Sequence, residues 1–240
     1  MLRGMSNTFI WVTSTLGGLG KTSLTAALWR LSEQGMIPPC EILDLDSSPR
    51  LGRSVNAKSE QREWRSNTDR VLDLIEVMVQ STAELVIVNF PAGSSDLVRA
   101  LPDETYLREL AKMQRIAQVH LVDPSLTTDE VEFSFNNDNP LYASATERFA
   151  VLPQHRMNTS TILPLPLPWE QYVKATLEYP SWGITQPAEV MSAALERRVE
   201  PTRLVEVMLN IWLGTLAKKF ETLITWLKDD KPRKKETSHE

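Results

Sequence analysis

Val12-Thr13-Ser14-Thr15-Leu16-Gly17-Gly18-Leu19-Gly20-Lys21-Thr22-Ser23 is the stretch that decides the fold. Glycines at 17, 18 and 20 let a backbone turn tightly and aim several amide hydrogens at one point, and a helix starting there adds its positive end. In such a loop Lys21 would reach the β- and γ-phosphates of a nucleotide, and the Thr22 hydroxyl would ligate Mg²⁺. The phosphate-binding contacts would come from Gly17, Gly18, Leu19, Gly20, Lys21, Thr22 and Ser23. The regular motif has a glycine five residues before Gly20, where this chain has Thr15, so the pattern departs at one position. The flanks fit. Thr8 to Thr13 is rich in β-formers and reads as a buried strand. Leu24, Ala27, Leu28 and Leu31 recur at helical spacing until Gly35 stops them.

Working outward, Glu41 to Asp46 reads as a second strand ending on two carboxylates, Asp44 and Asp46. Residues 51–68 are polar with few periodic signals and read as a loop, with or without a short helix. Asp69 to Gln80 presents a helical apolar face. Leu85 to Val88 is a continuous apolar run, the mark of a parallel strand covered on both sides. Val119 to Val122 and Phe149 to Leu152 read as further strands. Strands alternating with helices predict an α/β fold, a doubly wound and mostly parallel sheet, with ligands at the carboxyl edge. The glycine loop, Asp44, Asp46 and Asn89 all fall at that edge. Beyond residue 160 the alternate prolines of Ile162 to Pro168 exclude helix and central strand. Helices then dominate, roughly 186–198 and 202–228, as a helical C-terminal extension. Leu204 to Leu227 reads as one amphipathic helix of about six turns.

Residues 1–228 read as one domain and 229–240 as a charged, disordered tail. The net charge of −5 argues against wholesale attraction to nucleic acid, which the sequence leaves unsupported, and against acidic membranes. Cys40 is the single cysteine, so no internal disulfide can form, and a reducing cytoplasm is the simple reading. Met1 to Met5 is too short and mixed for a signal peptide, and no run of about 18 apolar residues suggests a membrane span. The wide apolar stripe of the last helix favours core or subunit packing over membrane contact. His120 and His155 lack metal-binding companions and carry no assigned chemistry.

The glycine loop resembles the deviant Walker A loop of the ParA/MinD ATPases, usually Lys-Gly-Gly-Val-Gly-Lys-Thr. Leu43 to Asp46 resembles that family's acidic strand end. Leu85 to Gly93 resembles its Walker B strand, usually ending Asp-x-Pro-Ala-Gly or Asp-x-Pro-Pro, and Val122 to Ser125 is similar to the segment near its adenine pocket. The resemblance spans roughly residues 8–155. It implies ATP with Mg²⁺ as the ligand. Lys21 would act on the phosphates and Asp46 would orient the attacking water, while Thr22, Asp44 and Asn89 would lie around the metal. Asp46–Arg53 and Pro91–Asp96 would be the switch segments.

Two positions depart from the family. Leu16 stands where the family has its signature lysine, and Asn89 stands where it has the Walker B aspartate. Leucine cannot stabilise developing charge, and an amide holds a metal's water less firmly than a carboxylate. Weak ATP hydrolysis is the expectation, with Arg50 and Arg53 as candidate substitute cations. The resemblance implies a homodimerising switch that docks protein partners of a larger assembly and positions a cargo, such as a plasmid, chromosome, division, secretion or conjugation machinery. Two other classes stay open: a non-hydrolysing scaffold, and a small-molecule ATP-dependent synthetase or kinase.

Overall fold

The computed structural model describes residues 7–46, 51, 66–93, 105–123, 135, 140–157, 167, 169–182 and 188–229. The loop reading of residues 51–68, the proline-rich connection, Arg50, Arg53 and the tail lie wholly or mostly outside them.

Six strands form one sheet: β1 (Thr8–Ser14), β2 (Cys40–Asp44), β3 (Leu85–Asn89), β4 (Arg115–Leu121), β5 (Glu147–Pro153) and β6 (Ala175–Tyr179). Their spatial order is β2-β3-β1-β4-β5-β6, and every pair is parallel. The chain runs outward from β1 to β2, returns through β3, and then crosses β1 to reach β4. That reversal opens a crevice at the carboxyl end of β1, where such sheets bind ligands.

Alternation along the strands assigns the two faces. On one face Ile10, Val12, Leu85, Ile87, Ala117, Val119, Phe149 and Val151 meet α1 (Lys21–Glu33), α5 (Ala188–Leu195), α6 (Arg203–Lys219) and α7 (Glu221–Lys228). On the other, Phe9, Trp11, Val86, Val88 and Ile116 meet α2 (Asn67–Gln80), α3 (Thr105–Lys112) and α4 (Pro140–Ser144). Both faces of the central strands are therefore dry, which explains the near-continuous apolar text of β1 and β3. Each fully buried Leu, Ile, Val or Phe contributes about 1.5–3 kcal/mol by leaving water.

The expected single C-terminal helix is in fact two. Phe220, with φ −103° and ψ 14°, breaks the run between α6 and α7. Its ring is fully buried, and the break lets both helices follow the sheet instead of projecting from it. The extension thus forms part of the layer that covers the sheet.

Candidate functional site

The glycine loop leaves the carboxyl end of β1 and enters α1. Gly18 and Gly20 have φ of 74° and 94°, backbone that a side chain would strain. Leu19 anchors the loop in the core at 1% exposure, while Leu16 to Gly18 lie exposed at the rim. The helix start is distinctive. Gly20 occupies the N-cap of α1 with no side-chain cap, and no acidic residue stands in the first turn. By contrast Ser66 caps α2 in a reciprocal box with Asp69, and Thr202 caps α6. The first amides of a helix have no partner within the helix, so α1 keeps its positive end available for an anion.

Lys21 is buried at 6% exposure, and its ammonium donates to Ser14 Oγ at 2.9 Å. Ser14 Oγ in turn donates to the Leu16 carbonyl at 2.7 Å. Burial lowers the Lys21 pKa, and the charge of Asp46 opposes that shift. A confined cation at a helix N-terminus can hold phosphate oxygens. Thr22 and Ser23 are half-buried on the first turn of α1, with Ser23 Oγ donating to Glu196 Oε1 at 2.9 Å.

The acidic side of the crevice is held together internally. Register places Asp44 opposite Asn89, and Asn89 opposite Val12 of β1. Asn89 Nδ2 donates to Asp44 Oδ1 at 2.7 Å. The Asp46 amide donates to the same oxygen at 3.2 Å, and the Leu51 amide donates to Asp44 Oδ2 at 3.3 Å. Burial pushes the Asp44 carboxyl up, and these three hydrogen bonds pull it part of the way back. Asn89 Oδ1 is buried with no hydrogen-bond partner. An orphaned carbonyl oxygen at this place suits a water on a magnesium ion, and it is the observation by which the residues fit that metal. Among the described residues no group of three or more His, Cys, Asp or Glu side chains gathers to hold a metal by itself. Phosphate oxygens and water would have to complete any shell begun at Thr22.

Two groups escaped the sequence reading. Thr13 and His120 are register partners on β1 and β4. Thr13 Oγ1 lies 2.9 Å from His120 Nδ1, and Thr15 Oγ1 lies 3.4 Å from His120 Nε2. Gln118 Nε2 also donates to Thr13 Oγ1 at 3.2 Å. The imidazole is 5% exposed, and burial followed by the Lys21 charge lowers its pKa to about 4. His120 is thus a neutral brace under the root of the loop. The available signal was Gln118 and His120, two polar residues alternating among the apolar residues that follow Arg115 in β4.

The second group follows β5. A single 3-10 turn, Gln154–Arg156, folds back over the loop. Arg156 Nη2 donates to the Gly18 carbonyl at 3.1 Å. A Cβ at Gly20 would lie 3.5 Å from the Tyr179 ring and 3.7 Å from the His155 ring. No spacing rule links residues 18 and 156, so only the fold brings them together.

No protein-family model and no curated protein matches the chain. Solved structures with a similar chain course include a nucleotide-binding protein from Archaeoglobus fulgidus, in complex with ADP. It is 16% identical, the match covers 81% of this chain and 88% of that one, and the TM-score is 0.46. A GTPase in apo form from Pyrococcus abyssi is 14% identical over 93% of this chain and 98% of its own, with a TM-score of 0.46. The cell division protein MinD of Aquifex aeolicus is 14% identical over 86% and 97%, with a TM-score of 0.47. Likeness at this level assigns neither ligand nor activity.

Proposed function

We propose that the chain is a nucleoside-triphosphate switch of the ParA/MinD type, binding ATP with Mg²⁺ and hydrolysing it weakly. The observation that carries this reading is the uncapped start of α1 on Gly20, beside the buried ammonium of Lys21. A positive helix end, glycines at positive φ and a confined lysine form together where a phosphate is to be held. Lys21 would bind the β- and γ-phosphates, and Thr22 would ligate the metal. Bound Mg²⁺ would supply charge neutralisation at the phosphates. Asn89 Oδ1 would accept from a metal-bound water, and Asp46, half-buried and near Lys21, would orient the attacking water. Asp44 has both oxygens engaged and would serve by fixing Asn89 and the start of the segment after β2. Dimerisation or docking to a partner protein in the cytoplasm would be the output, with positioning of a cargo as the cellular role.

A second reading, a non-hydrolysing scaffold, draws on the same acidic cluster. A carboxylate already satisfied by an amide and two backbone N–H groups has little capacity left for a metal shell.

Titrating the protein with a fluorescent ATP analogue and Mg²⁺, beside Lys21→Ala, tests the proposal. Saturable binding lost in the variant supports it. Absence of binding by the intact chain would defeat the switch and leave the scaffold. Turnover matching ordinary P-loop ATPases would refute weak hydrolysis.

A further inference from the structure

The loop contains one cation, Lys21, at its helical end. The opposite end, Leu16 to Gly18, is exposed and carries no charge. β5 lies two strands from β1, so its exit would stand about 9.5 Å from the loop if the chain ran straight on. The Gln154–Arg156 turn closes that distance, and the Arg156 guanidinium sits on the Gly18 carbonyl at 3.1 Å. The approach is close. A Cβ on Gly18 would come within 3.2 Å of Arg156 Nη2. Arg156 is exposed and makes no other hydrogen bond among the described residues. One arm of a rigid five-donor fork is therefore tied to the loop, and the other donors remain at its mouth.

We propose that Arg156 supplies, from the same chain, the second cation of the phosphate site, at the end of the loop where Leu16 provides none. Guanidinium donors match phosphate oxygens in pairs, and the tie to Gly18 holds them in place before the ligand arrives. The proposal rests on the nucleotide-binding reading above. It makes the site complete within one protomer, so phosphate binding does not wait for a second copy.

The test is calorimetric titration of the full chain with Mg-ATP, ADP and AMP, at two salt concentrations. Wild type is compared with Lys21→Ala, Arg156→Lys and Arg156→Gln, after melts confirm that each folds. Glutamine carries no charge and, two bonds shorter than arginine, also gives up the tie to the Gly18 carbonyl, so AMP is the control that separates a lost phosphate contact from lost support of the loop. Losing a charge-assisted phosphate contact should weaken ATP binding by roughly 10- to 100-fold in Arg156→Gln. AMP binding should change by about twofold or less, and the salt dependence of ATP binding should flatten. Arg156→Lys should retain part of the ATP affinity. If Arg156→Gln binds ATP like wild type while Lys21→Ala does not bind, the Arg156 proposal falls and the nucleotide site stands. Equal weakening of ATP and AMP would also overturn it, reducing Arg156 to a prop for the loop. No ATP binding by wild type would overturn both readings together.

Discussion

Asn89→Asp would restore the acidic end of a Walker B strand, yet its surroundings predict damage. The new carboxylate would face Asp44 across 2.7 Å, with both groups buried. It would turn a donor into a second acceptor and set like charges together out of water. A loss of about 3–5 kcal/mol is expected at neutral pH, the scale of a broken buried pair. Burial already raises the Asp44 pKa, and a second carboxylate would raise it further. The folded variant then binds more protons than the unfolded chain. Stability is fully retained below the unfolded carboxylate value and falls as pH rises through the folded one. Urea melts should show a larger deficit at pH 7.5 than at pH 5; the reverse order would contradict the argument. His120 has the opposite sign. Its pKa is about 4 folded against 6.5 free, so the unfolded chain binds more protons between those values. Wild type should lose up to roughly 3 kcal/mol as pH falls from 6.5 to 4, a loss that His120→Gln should largely lack. Matching acid profiles for the two proteins would remove His120 from that role. The glycine loop and Asn89 were legible because each is a local pattern. The orphaned oxygen of Asn89 was not, because it depends on a neighbour 45 positions away.

At the level of elements, the apolar stripe of α6 divides sharply. Leu213 and Leu216 are at most 1% exposed, whereas Leu204, Val207 and Ile211 are 59%, 49% and 67% exposed. Leu213→Ala should cost about 2–5 kcal/mol through the cavity it leaves, while Ile211→Lys should stay within about 0.5 kcal/mol. Thermal melts of the two variants check the contrast, and a strong loss in Ile211→Lys would mean its face is covered. Helix periodicity found this element but missed its end. Ala217, Lys218, Lys219 and Glu221 are all good helix formers, so nothing local announces the break at Phe220. β6 was missed for a related reason. It is an edge strand flanked by exposed Lys174 and half-buried Pro180, and Glu178 on it pairs with Lys219 rather than entering the core. Half-covered strands lack the continuous apolar run that revealed β1 and β3.

Across the whole molecule, α1 and the C-terminal helices form one layer. Ser23 Oγ meets Glu196, Arg30 Nη2 donates to the Ala194 carbonyl at 3.2 Å, and Arg197 pairs with Glu33 at 3.0 Å. Ending the chain after Pro201 would strip Trp212, Leu213, Leu216, Phe220 and Leu223 from the sheet face they cover. That truncation should abolish cooperative unfolding, read by near-ultraviolet dichroism during a thermal ramp; a sharp transition near the wild-type midpoint would show the layer to be dispensable. The parallel order of the sheet was readable from alternating patterns. The docking of residues 203–228 onto it was not, since an amphipathic stripe states that it needs a cover and not which surface supplies it.

A line of rings leads away from the loop. His155 meets Tyr179 at 6.3 Å, Tyr179 meets Trp212 at 5.6 Å, and Trp212 meets Trp182 at 4.0 Å with 31° between planes. Two indoles this close share their electronic excitation, so the protein carries a built-in optical gauge. The paired indoles should give a split band in ultraviolet circular dichroism that vanishes in Trp182→Phe. Filling the loop should perturb that band with no added label, and occupancy could then be followed in real time by light alone.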